Sequence, residues 1–242
     1  MCTHTSQPTS AHARITGDDS GHARVRILLV DDHPAVRLGA RALIDAQPDM
    51  EVVAQASSAD DALRQLAAPI DVAIVDYHLG DGEDGLWLAT QLKRRANPPR
   101  VLVYSAFADG ALAVMALIAG ADGLLGKHEI ADELCCAIRR LARGQHNLPA
   151  VSSSIARAMR SQLEPRDQAI FGMLLHGITP DAIAERLGIT HEELHARRLL
   201  MLRSFKPARP PSALPMATRA PLDYERGRRS TARRAHAAAA CS

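Results

Sequence analysis

Residues 25–46 read VRILLVDDHPAVRLGARALIDA, an apolar run that ends in two aspartates and continues with helical spacing of apolar residues. The run at 25–30 has the β-branched and aliphatic side chains of a buried strand, and the segment at 34–46 has the pattern of a helix packed on one side. Adjacent carboxylates repel each other at neutral pH, so Asp31 and Asp32 indicate a site where a bound cation offsets that repulsion.

The same alternation of strand and helix continues along the chain. Further strands are predicted at 51–56, 71–76, 100–105 and 123–126, and helices at 58–68, 84–96, 109–119 and 129–143. Five successive strand–helix repeats are typical of a parallel sheet with helices on both faces. The sequence therefore predicts the α/β class, with a doubly wound five-stranded parallel sheet.

The ends of these strands carry the polar side chains. The first strand ends in Asp31 and Asp32, the third in Asp76 and the fourth in Ser105, and the fifth runs into Lys127. Ligands of open parallel sheets bind beyond the carboxyl ends of the strands, so we expect these groups to converge. Clustered carboxylates favour a hard divalent cation, and Mg²⁺ is the cofactor that the pattern predicts.

The predicted cluster has the groups needed to handle a phosphoryl group. Asp76 can place one oxygen on the metal and offer the other as a nucleophile to phosphorus, which forms an aspartyl phosphate. Ser105 can donate a hydrogen bond to a phosphoryl oxygen, and Lys127 can neutralise another. His33 is interpreted as a loop residue before Pro34 rather than as a transition-metal ligand.

The chain is long for one ordinary domain and fits one full-sized domain followed by a smaller one, since it has 242 residues. Hydrophobic residues make up 47% of it, which is typical of a globular protein with a core. Aromatic residues reach only 3%, so the stacking of bases or sugars is not expected to be its main chemistry.

The sequence favours a cytoplasmic protein without a membrane anchor. The N-terminal segment lacks the apolar core of a signal peptide. The longest apolar stretch, ALAVMALIAGA at 111–121, is too short to cross a bilayer. The four cysteines form no C-x-x-C pair, which fits a reducing compartment.

The basic character of the chain is concentrated at one end. Residues 206–242 contain eight basic residues and two acidic ones, a net charge of +6, so the remainder carries −4 in a chain of net charge +2. This tail is rich in Pro, Ala and Arg without hydrophobic periodicity, and it is predicted to be disordered. The predicted division of the chain is an N-terminal extension without order at 1–24, an α/β domain at 25–143, a linker at 144–163, a helical domain at 164–205 and the basic tail.

The segment at 164–205 contains residues that typically begin and end helices. Thr179 with Pro180 opens one helix and Gly188 closes it, and Thr190 with Glu193 forms a capping box for the next. Three short helices joined through a tight glycine turn predict a small all-α helix-turn-helix domain.

Residues 25–143 resemble the receiver domain of two-component response regulators, and VDDHPAVRLGARALI is most similar to the NarL/FixJ group. The resemblance rests on the acidic pair, an aspartate 44 residues after Asp32, a serine 29 residues further, and a lysine 22 residues beyond that, approached through AGADGLLGK. It implies a flavodoxin-like receiver in which Asp76 accepts phosphate from a sensor histidine kinase.

The same resemblance implies roles for the other residues. It places Mg²⁺ on Asp31, Asp32, Asp76 and the backbone carbonyl of His78, with Ser105 and Lys127 binding the phosphoryl group. It also implies a homodimer of the phosphorylated form. One departure concerns Leu124, which stands where many members of the family carry an aromatic residue that reorients upon phosphorylation.

The stretch GITPDAIAERLGIT at 177–190 resembles the LuxR-type output domain. That resemblance implies that the third helix enters the major groove of double-stranded DNA. The expected contacts come from polar residues of this helix: His191, His195, Arg197 and Arg198. Residues 160–205 contain six arginines and six acidic residues, however, so phosphate neutralisation would depend on the basic tail.

These patterns favour a phosphorylation-controlled transcription regulator that is not an enzyme. A first alternative is a response regulator whose altered helix-turn-helix acts through protein–protein contacts. A second is a Mg²⁺-dependent phosphohydrolase, which needs aspartates on the same type of sheet. The phosphohydrolase would also need a cap over its substrate, and the sequence has no insertion of that kind.

Overall fold

A five-stranded parallel sheet forms the centre of the N-terminal part of the chain, in a computed structural model that describes residues 24–66, 68–80, 82–129 and 131–205. Its strands are β1 (Val25–Val30), β2 (Met50–Ala56), β3 (Val72–Val75), β4 (Arg100–Ser105) and β5 (Gly123–Gly126). Their order is β2-β1-β3-β4-β5, and all neighbours are parallel. The predicted fold class is confirmed.

Five helices cover the two faces of this sheet. They are α1 (Pro34–Asp45), α2 (Ala59–Arg64), α3 (Gly85–Leu92), α4 (Gly110–Ala119) and α5 (Ala131–Ala142). Because side chains alternate along a strand, Ile27 and Leu29 pack with α1 and α5 on one face. Leu28 and Val30 pack with α2, α3 and α4 on the other.

Four helices follow the sheet: α6 (Ser153–Arg160), α7 (Pro165–Leu175), α8 (Pro180–Leu187) and α9 (His191–Ser204). The capping box of Thr190 and Glu193 is present as predicted, and Gly188 ends α8 in the left-handed conformation with φ of 63°. Helix α6 lies inside the segment predicted as a linker. The predicted domain boundaries stay predictions. Two predicted segments lie outside the described residues: the N-terminal extension at 1–24, of which only residue 24 is described, and the tail at 206–242.

Helix α4 is the element at which the two parts meet. Its sequence is apolar on every side, and residues Leu112 to Ala116 are all buried. One side packs on the sheet, and the others contact α6, α7 and α9. Apolar residues of the C-terminal helices, such as Phe171 and Met201, therefore belong to the same hydrophobic cluster as α4.

In the part of the chain that the structure describes, no helix is both long enough and apolar enough to span a membrane.

Candidate functional site

Two buried aspartates lie side by side at the carboxyl edge of the sheet. The backbone N–H of Asp31 donates to the carbonyl of Ala56, and that of Asp76 donates to the carbonyl of Val30. The backbone hydrogen bonding of the sheet thus continues one residue past β1 and β3, and it places the side chains of Asp31 and Asp76 next to each other. Asp31 is 2% exposed and Asp76 is 4% exposed, so each carboxylate needs a compensating charge.

Lys127 supplies that charge from the end of β5. Its Nζ lies 2.7 Å from Oδ2 of Asp31 and 2.6 Å from Oδ2 of Asp76. Its backbone N–H donates to the carbonyl of Ser105 at 2.7 Å, which fixes the start of the side chain. Burial opposes the charged ammonium, but the hydrogen bonds and charges of the two aspartates outweigh it and raise the pKa of Lys127.

The carboxyl group of Asp76 is held in an unfavourable place for its negative charge. Burial raises its pKa, and the charge of Asp31 raises it further, although Lys127 and the backbone N–H of His78 act in the opposite direction. One ammonium shared between two carboxylates leaves negative charge uncompensated. The site therefore has an electrostatic reason to take up a further cation.

Four side chains at this edge could hold a metal ion. Ligand atoms of Asp31, Asp32, His33 and Asp76 all lie within 4.8 Å of one another. Three carboxylates suit Mg²⁺, which prefers oxygen ligands, so the chemistry of the donors fits that ion. His33 lies in the loop between β1 and α1, as predicted, and its Nδ1 lies 2.6 Å from Oδ1 of Asp32. Its place directly after the acidic pair is the sequence signal for its presence at this cluster.

Ser105 lies at the same edge and is engaged with the backbone of the following loop. Its side chain is buried, and its Oγ accepts a hydrogen bond from the backbone N–H of Phe107 at 3.2 Å. Phe107 is 68% exposed. Two residues later Asp109 caps α4 by accepting a hydrogen bond from Leu112 N. The hydroxyl of Ser105 is thus linked to the start of α4 through four residues of backbone.

The aromatic position of the family is occupied by a core residue here. Leu124 is buried on the face of the sheet that carries α4. Tyr104 points to the opposite face, where it is partly buried and packs with the cluster beneath α1 and α5. Burial raises the pKa of Tyr104, so it stays neutral at physiological pH.

The four residues predicted to contact DNA all lie on α9, but they differ in environment. His191 is exposed, and His195 is partly buried with Nε2 3.5 Å from Nε2 of Gln91 on α3. Arg197 donates to Oδ1 of Asp167 on α7 at 2.9 Å. These contacts hold two of the four side chains against protein rather than solvent.

Arg198 is the most enclosed of the four. It is 7% exposed, and its Nε donates to the carbonyl oxygen of Ile118 in α4 at 2.5 Å. Burial lowers its pKa to about 10, which still leaves it charged at neutral pH. The carbonyl that it meets is one of the last in α4, where the helix dipole is negative. In this arrangement the predicted DNA-contacting helix is packed against the α/β domain.

The chain matches known proteins along most of its length. The family model described as the response regulator receiver domain matches residues 27–139. The transcriptional regulatory protein LiaR of Bacillus subtilis is 32% identical over 181 residues, covering 69% of this chain and 83% of LiaR. The nitrate/nitrite response regulator protein NarL of Escherichia coli is 32% identical over 193 residues, covering 74% of this chain and 88% of NarL.

Solved structures agree with these matches. A two-component response regulator of the LuxR family from Aurantimonas sp. is 33% identical and has a TM-score of 0.50, covering 56% of this chain and 98% of that one. RcsB from Salmonella enterica serovar Typhimurium, bound to a promoter in the presence of the phosphomimetic BeF3-, shares the fold at 19% identity, with a TM-score of 0.51 over 75% of this chain and 92% of RcsB. The chain belongs to the NarL/LuxR family of two-component response regulators, whose members regulate transcription.

Proposed function

We propose that Asp76 is the phosphoacceptor of this response regulator and that a sensor histidine kinase is the donor. The observation that carries the proposal is the position of Lys127, whose Nζ bridges Asp31 and Asp76 within 2.7 Å of each. A buried carboxylate beside one ammonium and an acidic pair is the arrangement that phosphoryl transfer to aspartate needs.

The transfer requires one bond to form and one to break. A carboxylate oxygen of Asp76 bonds to the phosphorus of the kinase's phosphohistidine, while the P–N bond breaks and its electron pair returns to the imidazole nitrogen. Lys127 then turns from a carboxylate partner into a partner of a phosphoryl oxygen. Ser105 donates its hydroxyl hydrogen to another phosphoryl oxygen.

Asp31, Asp32, Asp76 and the backbone carbonyl of His78 would hold Mg²⁺ in this proposal. When bound, the ion supplies positive charge next to the phosphoryl oxygens. Asp31 and Asp76 lie within reach of one ion because their strands are neighbours in the sheet. Lys127 does not compete for the ion, since an ammonium donates and has no lone pair.

The proposed consequence of phosphorylation is release of α9. When Ser105 turns to the phosphoryl group it gives up its contact with Phe107, and the loop that leads to the cap at Asp109 can move. Helix α4 begins at the next residue and carries the contacts with α9. With Leu124 in the core position, this loop is the route that the structure favours between the site and the C-terminal helices.

The released helix would bind double-stranded DNA as part of a homodimer. His191, His195, Arg197 and Arg198 supply the side chains, and arginine suits both phosphate and guanine. Packing of Arg198 under α4 is then an inhibitory contact in the unphosphorylated form. The Arg-rich tail adds sequence-independent affinity for phosphates.

A second candidate is output through a protein partner. The ion pair between Arg197 and Asp167 favours it, because Asp167 is buried and the pair joins α9 to α7 within the helical domain. An arginine committed to holding two helices together is less available for DNA. The surface that α9 uncovers on release would then bind a protein partner rather than double-stranded DNA.

A selection from random duplex DNA, with and without acetyl phosphate and Mg²⁺, tests both candidates. Intact mass measured in parallel reports phosphate on the protein. We expect loading of the parent chain, loss of loading in Asp76→Asn, and unchanged loading in the matched variant Asp60→Asn, which alters an exposed aspartate of α2. A motif enriched only in the loaded chain supports DNA output, and loading without any motif supports the protein partner. Failure of the parent chain to load would reject Asp76 as the phosphoacceptor.

A further inference from the structure

His33 stands next to the acidic pair and turns its ring toward it. Nδ1 lies 2.6 Å from Oδ1 of Asp32 and 3.7 Å from Oδ1 of Asp31. The backbone N–H of His33 donates to Oδ1 of Asp31 at 2.8 Å, and Pro34 begins α1 immediately afterwards. The backbone is therefore fixed on both sides of the residue, and the imidazole lies at the rim of the cluster.

The dimensions of this cluster fit one ion with four protein ligands. Ligand atoms around an ion that is bound tetrahedrally at about 2.1 Å lie about 3.4 Å apart. The ligand atoms of Asp31, Asp32, His33 and Asp76 lie within 4.8 Å of one another, and Nδ1 of His33 lies 2.6 Å from Oδ1 of Asp32, so small side-chain rotations would bring all four to that spacing. The side chain of His33 is 67% exposed, which leaves a path for the ion to enter.

We propose that His33 is a ligand of the divalent cation at this cluster and that it increases the preference of the site for Zn²⁺ over Mg²⁺. The proposal rests on the function proposed above, since it concerns the same site. Mg²⁺ gains little from an imidazole, whereas Zn²⁺ and other late first-row ions bind nitrogen well and bind most mixed sites more tightly. The residue after the acidic pair then determines how strongly the site prefers Zn²⁺ over Mg²⁺.

Zn²⁺ bound in this way would oppose phosphorylation. An ion held by Asp31, Asp32, His33 and Asp76 has the four ligands that zinc usually takes, which leaves no position open for a phosphoryl oxygen. The carboxylate of Asp76 would also coordinate the ion and would not be available to attack phosphorus. The same cluster is thus expected to support loading with Mg²⁺ and to resist it with Zn²⁺.

Electron paramagnetic resonance of Mn²⁺ tests the ligand directly on the full chain. Mn²⁺ is bound first, and Zn²⁺ at buffered free concentrations is then added until the sharp signal of aqueous Mn²⁺ appears. Other histidines of the chain bind Zn²⁺ without releasing Mn²⁺ from this site. We expect His33→Gln to require at least about 10-fold more free Zn²⁺ for displacement. We expect displacement by Mg²⁺ to change by less than about twofold, because Mg²⁺ does not depend on the imidazole.

His146→Gln is the matched control, since His146 is an exposed histidine outside the cluster. It should behave as the parent does in both displacements. Equal displacement by Zn²⁺ in His33→Gln and in the parent would overturn the proposal, and so would a parent from which Zn²⁺ displaces no Mn²⁺. A second variant, His33→Asn, keeps the test valid if the glutamine fails to fold.

Loading with acetyl phosphate separates this proposal from the function on which it rests. With Mg²⁺, His33→Gln should load Asp76 as the parent does. With added Zn²⁺, loading of the parent should stop at a free concentration that leaves the variant active. A parent that does not load with Mg²⁺ contradicts the proposed function, whereas normal loading with equal sensitivity to Zn²⁺ contradicts only the role of His33.

Discussion

Arg198 and Ile118 are joined across the two parts of the chain by one hydrogen bond, in which the guanidinium Nε meets a carbonyl oxygen at the end of α4 at 2.5 Å. The donor comes from the helix that resembles a DNA-reading element, and the acceptor comes from the receiver. A contact of this kind couples the position of α9 to the integrity of α4. Two predictions follow from it and from the contacts around it, and two more concern Asp31 and Asp76 at the edge of the sheet.

Replacing Arg198 by alanine should loosen the packing of α9 on α4. The change removes a buried charged hydrogen bond, which is worth about 1.5–3 kcal/mol. We expect faster hydrogen exchange in α4 and α9 and little change in the strands. Arg186→Ala is the control, since Arg186 is exposed on α8. Unchanged exchange in α4 would show that the contact with Ile118 does not hold the helices together.

Acid should open the same interface through His195. Burial lowers the pKa of this imidazole, and the charges of Arg94 and Arg198 lower it further, with Glu192 acting weakly against them. The closed form thus binds fewer protons than the open form, so its stability is retained above about pH 6.5 and is lost as pH falls below that value. Protection factors of α3 and α4, which correct for the intrinsic pH dependence of amide exchange, should fall between pH 7.5 and 5.5.

His195→Gln is the matched variant for this measurement, because glutamine can still contact Gln91 but does not titrate. Its protection factors should be insensitive to the same change of pH. A parent and a variant that respond equally would assign the effect to another group.

Removing the ammonium at the proposed phosphoryl site should destabilise the receiver when no divalent cation is bound. Lys127→Met leaves Asp31 and Asp76 buried without a counter-charge, which costs about 3 kcal/mol of the free energy of unfolding. Mg²⁺ should restore more stability to this variant than to the parent, because it replaces the missing charge. Urea unfolding with and without Mg²⁺ measures both quantities, and an equal response to Mg²⁺ would contradict the expectation.

Gly85 and Gly39 can be compared to test whether the close packing of α3 against Asp76 requires a glycine. A Cβ added to Gly85 would lie 1.9 Å from the backbone oxygen of Asp76, so α3 must move away. A Cβ on Gly39 would meet no described atom within 4 Å. Gly85→Ala should therefore lower stability by about 1–3 kcal/mol and slow loading of Asp76. Gly39→Ala should raise stability by about 0.5–1 kcal/mol, since glycine is unfavourable in a helix interior. Thermal unfolding and intact mass distinguish the two outcomes.

The sheet and the caps could be predicted from the sequence because they depend on local patterns. The strand at 25–30 and the capping box of Thr190 and Glu193 appear as predicted, since short-range periodicity and side-chain–backbone geometry decide them. The convergence of Asp31 and Asp76 followed from the parallel order of the strands, which brings their carboxyl ends together.

Contacts between distant segments could not be predicted in the same way. Arg198 was assigned to DNA because it lies on α9, and nothing within α9 indicates that a carbonyl of Ile118, 80 residues earlier in the chain, would accept its hydrogen bond. His33 lies in the loop where it was predicted, but the contact of its ring with Asp32 depends on side-chain angles that spacing does not encode. One signal was present, however. The apolar run at 111–121 has no polar side, which indicates a helix covered all round.

Because it is covered in this way, α4 has no polar face that could be exposed to solvent. A fragment cut at residue 143 would keep the residues of the proposed phosphoryl site but expose the side of α4 that α6, α7 and α9 now cover. Such a fragment is expected to aggregate or to pair through that side, although the sheet beneath it is intact. The α/β domain and the C-terminal helices are therefore not independent folding units. The hydrophobic core around α4 contains side chains from both, so separating them exposes apolar surface.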